Sequence, residues 1–252
     1  TTNCAVLGVA EINCKQGTGL FESVFFSFAA AVGFGFALVI FSGIREKLEH
    51  ALTVSLKQID KGIAAFGDIF PMEFSKGNVS ATMQNVAGWG NGFWTGILWH
   101  AYELTGNDKY KEVALSHIPS YTKRITEKIG VNHHDMGFLF TPSCVAAYKL
   151  AGNEEGKAAA IMAADHLLSR YQDKGEFIQA WGNVNDPKDN RLIIDCLLNI
   201  PLLYWASEVT GHPYYKNIAE AHAQTTIKYF IREDYSICHA IMFDTKTGQF
   251  LK

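Results

Sequence analysis

An all-α chain of stacked helical hairpins, preceded by a membrane-spanning helix, is the fold class this sequence predicts. Three observations carry it. A charge-free apolar run lies near the start, amphipathic helical periodicity follows it, and one hairpin-like pattern then recurs three times in the same register.

The apolar run comes first in the chain. From Ser23 to Ile44 no residue is charged, and Glu22 and Arg45 bracket the run. At about 1.5 Å per residue it spans roughly 33 Å as a helix, enough for a hydrocarbon core. Small residues (Ser27, Ala29, Ala30, Ala31, Gly33, Gly35) dot it, as on helices that pack closely in a bilayer. No basic stretch precedes it directly and no small-residue cleavage site follows, so it is unlike a cleaved signal. A buried core helix is the competing reading. After residue 45 the texture changes: Leu48, Leu52, Leu56 and Ile59 fall at helical spacing with Lys57, Asp60 and Lys61 between them, until Pro71 ends the region.

The recurring unit is an apolar helix, a glycine and an amphipathic helix. Ala101-Tyr102-Glu103-Leu104-Thr105-Gly106-Asn107 leads to Lys111 and Ala114; Ala147-Tyr148-Lys149-Leu150-Ala151-Gly152-Asn153 leads to Lys157 and Ala160; Ala206-Ser207-Glu208-Val209-Thr210-Gly211-His212 leads to Lys216 and Ala219. Each glycine suits the left-handed position after a helix, and the residue after it can start the next. The pattern predicts seven helices, over 46–66, 93–105, 107–127, 137–151, 154–171, 193–209 and 213–230. A short hairpin is expected at the end, where Ile237, His239 and Ile241 alternate and Asp244-Thr245-Lys246-Thr247-Gly248 makes a turn.

A polar or aromatic cluster precedes each apolar helix: Trp89-Gly90-Asn91-Gly92, His133-His134-Asp135, and Asp195. If the apolar helices form an inner ring, the repeat puts all three clusters at one end, facing one cleft. Two carboxylates there, Asp135 and Asp195, suit acid/base chemistry on a small polar substrate. The plainer alternative is that both only cap helices. Trp181, beside the polar loop through Asp186, Pro187 and Asp189, is either core or a platform for a sugar ring. His239 is either a site residue or a satisfied surface histidine.

The 252 residues are enough for one large domain or two small ones, and they carry a net charge of −3 with acids and bases interspersed. Nothing suggests a nucleic-acid footprint. Cys4, Cys14, Cys144, Cys196 and Cys238 form no metal-binding spacing and fit reduced thiols in a reducing, cytoplasmic compartment. The chain opens on Thr1 rather than Met, as a fragment or a processed form does.

Asn91-Gly92-Phe93-Trp94-Thr95-Gly96, His133-His134-Asp135-Met136-Gly137-Phe138, Phe177-Ile178-Gln179-Ala180-Trp181 and Arg191-Leu192-Ile193-Ile194-Asp195-Cys196-Leu197-Leu198-Asn199-Ile200 resemble the motifs of unsaturated glucuronyl hydrolases, glycoside hydrolase family 88. The resemblance runs from about residue 48 to the end and implies a partial α/α toroid of the six-hairpin type. It implies removal of 4,5-unsaturated uronic acid from lyase-generated oligosaccharides, such as unsaturated chondroitin and hyaluronan disaccharides, with no metal or organic cofactor. It makes Asp195 the general acid/base and Asp135 the second essential carboxylate, with His134, Trp181, His239 and Trp89 as substrate contacts. Unsaturated rhamnogalacturonyl hydrolases of family 105 share the fold and chemistry and are the nearest rival.

The resemblance also implies further helices, and a motif with Arg, Gln and Trp, beyond the point where this chain stops. An inactive fragment is therefore the alternative from another class. Apolar inner helices left uncovered would favour self-association, poor solubility and little or no turnover. Residues 1–50, with Thr2-Asn3-Cys4-Ala5-Val6-Leu7-Gly8-Val9-Ala10 and Ala30-Ala31-Val32-Gly33-Phe34-Gly35-Phe36, resemble instead a membrane subunit of Rnf and sodium-pumping NADH:quinone reductase complexes. In that family the cysteine matching Cys4 helps bind an intramembrane iron centre, and the other ligands are absent here. The expected division is thus a membrane segment over 1–47, as a fusion or an electron-transfer remnant, and a hydrolase domain over 48–252.

Overall fold

The computed structural model describes residues 19–67, 69–76, 79–83, 88–184, 186, 190–244 and 246–251. Cys4 and the rest of the N-terminal motif, with Pro187, Asp189 and Thr245 of the two loops, lie outside the described residues. The chain divides into two compact units, Thr1–Gln58 and Ile59–Lys252.

The first unit is dominated by helix α1, Leu20–Phe66, which continues into the second. The two helices expected over 23–44 and 46–66 are therefore one. No proline interrupts it, and Arg45 pairs with Glu49 one turn on, at 2.7 Å, across the expected junction. Phe25, Phe28, Phe36, Val39 and Phe41 are exposed along it. From Glu22 onward this helix is long and apolar enough to cross a membrane.

The second unit holds the hairpins. Its elements after α1 are strands β1 (Phe70–Lys76) and β2 (Val79–Met83), then helices α2 (Asn91–Thr105), α3 (Asp108–Ser116), α4 (Ile118–Thr126), α5 (Met136–Phe140), α6 (Ala146–Ala151) and α7 (Glu154–Leu168). Strands β3 (Tyr171–Gln172), β4 (Phe177–Ile178) and β5 (Arg191–Ile193) follow, then helices α8 (Pro201–Thr210) and α9 (Pro213–Phe230) and strand β6 (Ala240–Met242). Gly106, Gly152 and Gly211 end α2, α6 and α8 with φ of 66°, 64° and 72°, the left-handed conformation expected of them. Asn107 and Asn153 then cap the next helices, each side chain accepting a backbone N–H of the first turn.

Proline and β-branched residues explain where the helices depart from expectation. The helix expected over 107–127 breaks at His117, because Pro119 has no N–H to continue the ladder. The helix over 137–151 carries a π-helical turn, Thr141–Val145, at Pro142. The helix expected over 193–209 starts only at Pro201: Ile193 stays extended in β5, and Ile194–Leu198 forms a 3₁₀ turn. The β1–β2 hairpin, where the sequence suggested only an end at Pro71, was not anticipated.

The terminal hairpin is also rearranged. A bridge between Phe243 and Phe250 closes the Asp244–Gly248 turn, but β6 pairs antiparallel with β5, across some fifty residues of sequence, with Arg191 opposite Met242 and Ile193 opposite Ala240. Phe177, Leu192, Cys196, Phe230, Ile241 and Phe243 form a buried cluster around that pair. Under the hairpins, small residues of α7 (Ala159, Ala160, Ala163, Ala164) let it lie close to neighbours that bury Leu139, Phe140 and Leu202. Each such large side chain contributes about 1.5–3 kcal/mol.

Candidate active site

His133, His134 and Asp135 end the loop before α5. His134 donates its backbone N–H to Ala180 O at 2.6 Å, and His133 bridges to Trp181, so this loop is stitched to the segment after β4. Asp195 reaches the same place on the 3₁₀ turn after β5. The N–H of the residue before it, Ile194, donates to His239 O at 3.1 Å and fixes the C-terminal segment beside it. Trp89 packs on Phe138 and Phe93 with ring centres 5.7 and 6.0 Å away. The six residues singled out from the sequence thus collect at one end of the hairpins.

The centre of the cluster is His134. Its Nε2 lies 3.2 Å from Asp135 Oδ1 and 3.4 Å from Asp195 Oδ1, and the ring is almost fully buried. One Nε2 hydrogen cannot serve both carboxylates at once, and Asp135 is the nearer. His133 adds to the asymmetry: its Nε2 reaches Gly130 O at 2.7 Å, and its Nδ1 is 3.1 Å from Asp135 Oδ2. Burial alone would raise the Asp135 carboxyl, but hydrogen bonds from His133 and His134 outweigh it and hold the group well below the usual carboxylate range. Asp195 goes the other way. Burial raises it, His134 opposes that, and the negative charge of Asp135 adds to the rise. Its side chain remains 41% exposed, against 18% for Asp135, so it faces the solvent side of the cluster. Neither carboxylate acts mainly as a helix cap: Asp135 stands at the N-cap of α5 without a side-chain capping bond.

Two carboxyl groups with opposite shifts around one imidazole can divide the labour of a proton-transfer site. One stays ionised and orients the ring, and the other is poised to carry a proton. The ligand atoms of His134, Asp135 and Asp195 lie within 4.8 Å of one another, a spacing that a metal ion could also bridge. Next to the cluster a cleft of about 330 Å³ is lined by Trp181, Arg191, Ile193, His239, Ala240 and Met242.

Residues 63–252 match Glycosyl Hydrolase Family 88. The chain belongs to that family. An unsaturated chondroitin disaccharide hydrolase of Streptococcus pyogenes serotype M1 is 46% identical over 208 residues, 82% of this chain and 52% of that protein. The crystal structure of the unsaturated glucuronyl hydrolase from Streptococcus agalactiae superposes with a TM-score of 0.79 at 44% identity, covering 81% of this chain and 51% of that one. An aspartate-to-asparagine mutant from the same organism, complexed with dGlcA-GalNAc6S, gives a TM-score of 0.67 at 39% identity, covering 81% and 48%. This family 88 chain spans about half the length of the curated relatives it matches. Residues 1–97 match the Rnf-Nqr subunit, membrane protein, and so overlap the family 88 range. Within them, one component of the ion-translocating oxidoreductase complex of Aromatoleum aromaticum is 60% identical over 51 residues, 20% of this chain and 26% of that protein.

The sequence of this family 88 chain does not mark the residues that hold the loops together. Arg124, buried on α4, donates from Nη1 to Gly88 O at 2.7 Å and from Nη2 to Gly130 O at 2.8 Å, tying the loop of Trp89 to the loop of His133. Arg170, also buried, donates to Asn132 Oδ1, Gln179 O and Gly182 O at 2.9, 2.9 and 3.1 Å, tying the histidine loop to the Trp181 segment. His222 on α9 accepts the Ile178 N–H at Nδ1, 3.0 Å away. Burial, and then the neighbouring His134, push its imidazole down to about 3, so it is a neutral ring behind the cluster. No local pattern singles these residues out; Arg124 and Arg170 read as ordinary charges on amphipathic helices.

Proposed function

We propose that this site removes 4,5-unsaturated uronic acid from lyase-generated oligosaccharides, with unsaturated chondroitin or hyaluronan disaccharides as the substrate class. The single observation behind the proposal is the His134 imidazole shared by two carboxylates, one lowered and one raised. The names of the family 88 relatives point to the same substrates.

The chemistry follows from the substrate. Its C4=C5 double bond is conjugated with the ring oxygen on C5, a vinyl ether. Asp195, kept protonated by its raised affinity for a proton, gives that proton to C4. Positive charge then develops on C5 and the ring oxygen, facing the ionised Asp135. Water adds to C5 and returns a proton to Asp195. The resulting hemiketal opens and releases the rest of the oligosaccharide. Trp181 and Trp89 offer faces for the sugar rings, and His239 borders the cleft beside Asp195. The ordinary glycosidase arrangement, with two carboxylates flanking the anomeric carbon, is not required.

The test is to add unsaturated chondroitin disaccharide to the purified chain and follow the vinyl-ether absorbance. Steady loss of the band with release of the free sugar is the expected result. An unchanged band would leave the inactive-fragment alternative standing.

We also propose the division into a membrane segment over 1–47 and a hydrolase domain over 48–252, the latter on the cytoplasmic side. Arg45 and Lys47 follow the apolar run, as the positive-inside tendency requires of a cytoplasmic flank. Phe93, Ile97, Leu197 and Leu198 are exposed on the hairpins and offer a surface for self-association. Expressed in bacteria, the chain should resist alkaline extraction from membranes, and its hydrolase part should be digested by protease only in inverted vesicles. Digestion in intact spheroplasts would reverse the assigned orientation.

A further inference from the structure

Arg191 opens β5, four residues before Asp195, and takes no part in the proton transfers assigned to the two aspartates. Its backbone is fixed twice: it pairs with Met242 across the β5–β6 ladder, and its carbonyl accepts the Ala180 N–H at 2.8 Å. Its side chain lies over the Trp181 ring, the guanidinium carbon 4.9 Å from the ring centre. Both residues line the cleft that continues from Asp195 past Ile193 and His239. Among the described residues, no carboxylate pairs with this guanidinium, whereas Arg45 has Glu49 and the lysines Lys109 and Lys111 have aspartates. An aromatic face holds the cation in place and leaves its planar set of N–H donors unspent.

The electrostatics of the neighbourhood give that arrangement a purpose. The cleft adjoins two carboxyl groups, one of them firmly ionised. An acidic sugar entering it meets like charge unless a fixed cation compensates. Apart from the imidazole of His239, Arg191 is the only cationic side chain among the residues lining the cleft. A guanidinium matches a carboxylate or a sulfate in a planar, two-point contact that a lysine cannot reproduce.

We propose that Arg191, seated on Trp181, is the anion subsite of the cleft and a specificity-determining residue, binding a carboxylate or sulfate carried by the sugar. The proposal rests on the hydrolase reading of the same site and adds to it which side chain selects for ligand charge. Two sources of the anion are chemically equivalent: the carboxylate of the unsaturated uronate, and a sulfate ester on the adjoining sugar.

The experiment measures binding, by quenching of tryptophan fluorescence at low salt, to the 252-residue chain in detergent micelles. The three ligands are unsulfated unsaturated chondroitin disaccharide, its 6-sulfated form, and the methyl ester of the unsulfated one. For Arg191→Gln, a loss of about tenfold or more for the unsulfated acid, with the ester unchanged, assigns the carboxylate. A comparable loss confined to the sulfated form assigns the sulfate. Arg191→Lys, which keeps the charge and loses the fork, should recover part of the affinity. Equal weakening toward all three ligands would mean that Arg191 only seats Trp181, and no change toward any would mean that it touches no ligand; either overturns the subsite while leaving the hydrolase reading intact. A wild-type chain that binds none of the sugars would overturn both. Thermal melting of each variant checks the fold, and a variant that fails to melt cooperatively is replaced by Arg191→Met, which keeps the side-chain stem on the ring.

Discussion

Asp195→Asn is expected to cut turnover of an unsaturated disaccharide by about 10²–10⁴-fold, the usual contribution of a positioned general acid. The amide cannot give a proton to C4 or take one from water. Stability should move differently. The carboxyl of Asp195 is raised in the folded chain, so its ionised form is disfavoured there relative to the unfolded chain. The stability tied to this group is therefore present at low pH and lost as pH rises through its folded value. At neutral pH the neutral amide should melt no lower than wild type. Asp135→Asn should show the opposite sign. The Asp135 carboxyl is depressed by its two histidines, so it stabilises the fold above its unfolded pKa, and that contribution is lost as pH falls toward the folded value. Asp135→Asn should therefore melt lower at neutral pH and approach wild type in acid. The pH profile completes the test. The wild-type kcat/KM should fall as pH rises through the elevated pKa of Asp195, because the acid must be protonated in the free enzyme. An Asp195→Asn variant that turns over at near wild-type rate, or melting shifts of the same sign for both variants, would remove the division of labour between the two aspartates.

What the sequence showed, and what it hid, follows a physical line. Signals confined to a few consecutive residues were legible. The glycine stops at 106, 152 and 211 adopt the conformation that only a residue without Cβ takes easily, and the repeat they punctuate brought Trp89, Asp135 and Asp195 to one end. The chemistry of Asp195 was legible too, since apolar neighbours such as Ile193 raise a carboxyl wherever they bury it. Long-range pairing was not legible. β5 meets β6 across some fifty residues, so the apolar run Ile193-Ile194 read as the start of a helix when its β-branched first residue belongs to a strand. The consequence reaches the site: a 3₁₀ turn held at Ile194 by His239 O aims Asp195 at His134, and an α-helix beginning at 193 would not have that anchor. The buried arginines were hidden for a similar reason. A charge on an amphipathic helix is normally solvated, and only the fold reveals that Arg124 and Arg170 end on the carbonyls of the loops that carry the site.

Gly137→Ala is expected to be among the most damaging single-methyl changes in the chain. Gly137 sits on the first turn of α5, two residues after Asp135, where α5 meets the segment before α8. A Cβ there would overlap the Asn199 Cα and fall 2.5 Å from the Asn199 carbonyl oxygen, both backbone atoms. The approach is locked by the Asn199 side chain, whose Oδ1 accepts the Phe138 N–H at 3.0 Å. Gly92 makes the equivalent contact one hairpin earlier, against the backbone of Phe138 and Leu139. Successive apolar helices thus touch backbone to backbone at their N-terminal ends, and this is what narrows the ring of hairpins where the carboxylates face each other. A flexible side chain could swing away from an added methyl; a backbone segment cannot without moving α5 or the 3₁₀ turn. The cost is therefore expected at the upper end of overpacking, roughly 3 kcal/mol, with the melting temperature falling accordingly. Any fraction that still folds should separate the Asp135 and Asp195 loops, because Gly137 and Asn199 follow the two acids by two and four residues. Activity should then fall by more than the loss of folded protein accounts for, and Asn199→Ala, which removes the lock but not the space, should lose less of both. If Gly137→Ala melts like wild type, the backbones at this crossing have more room than a Cβ needs, and the geometry that brings His134 between the two aspartates must be redrawn.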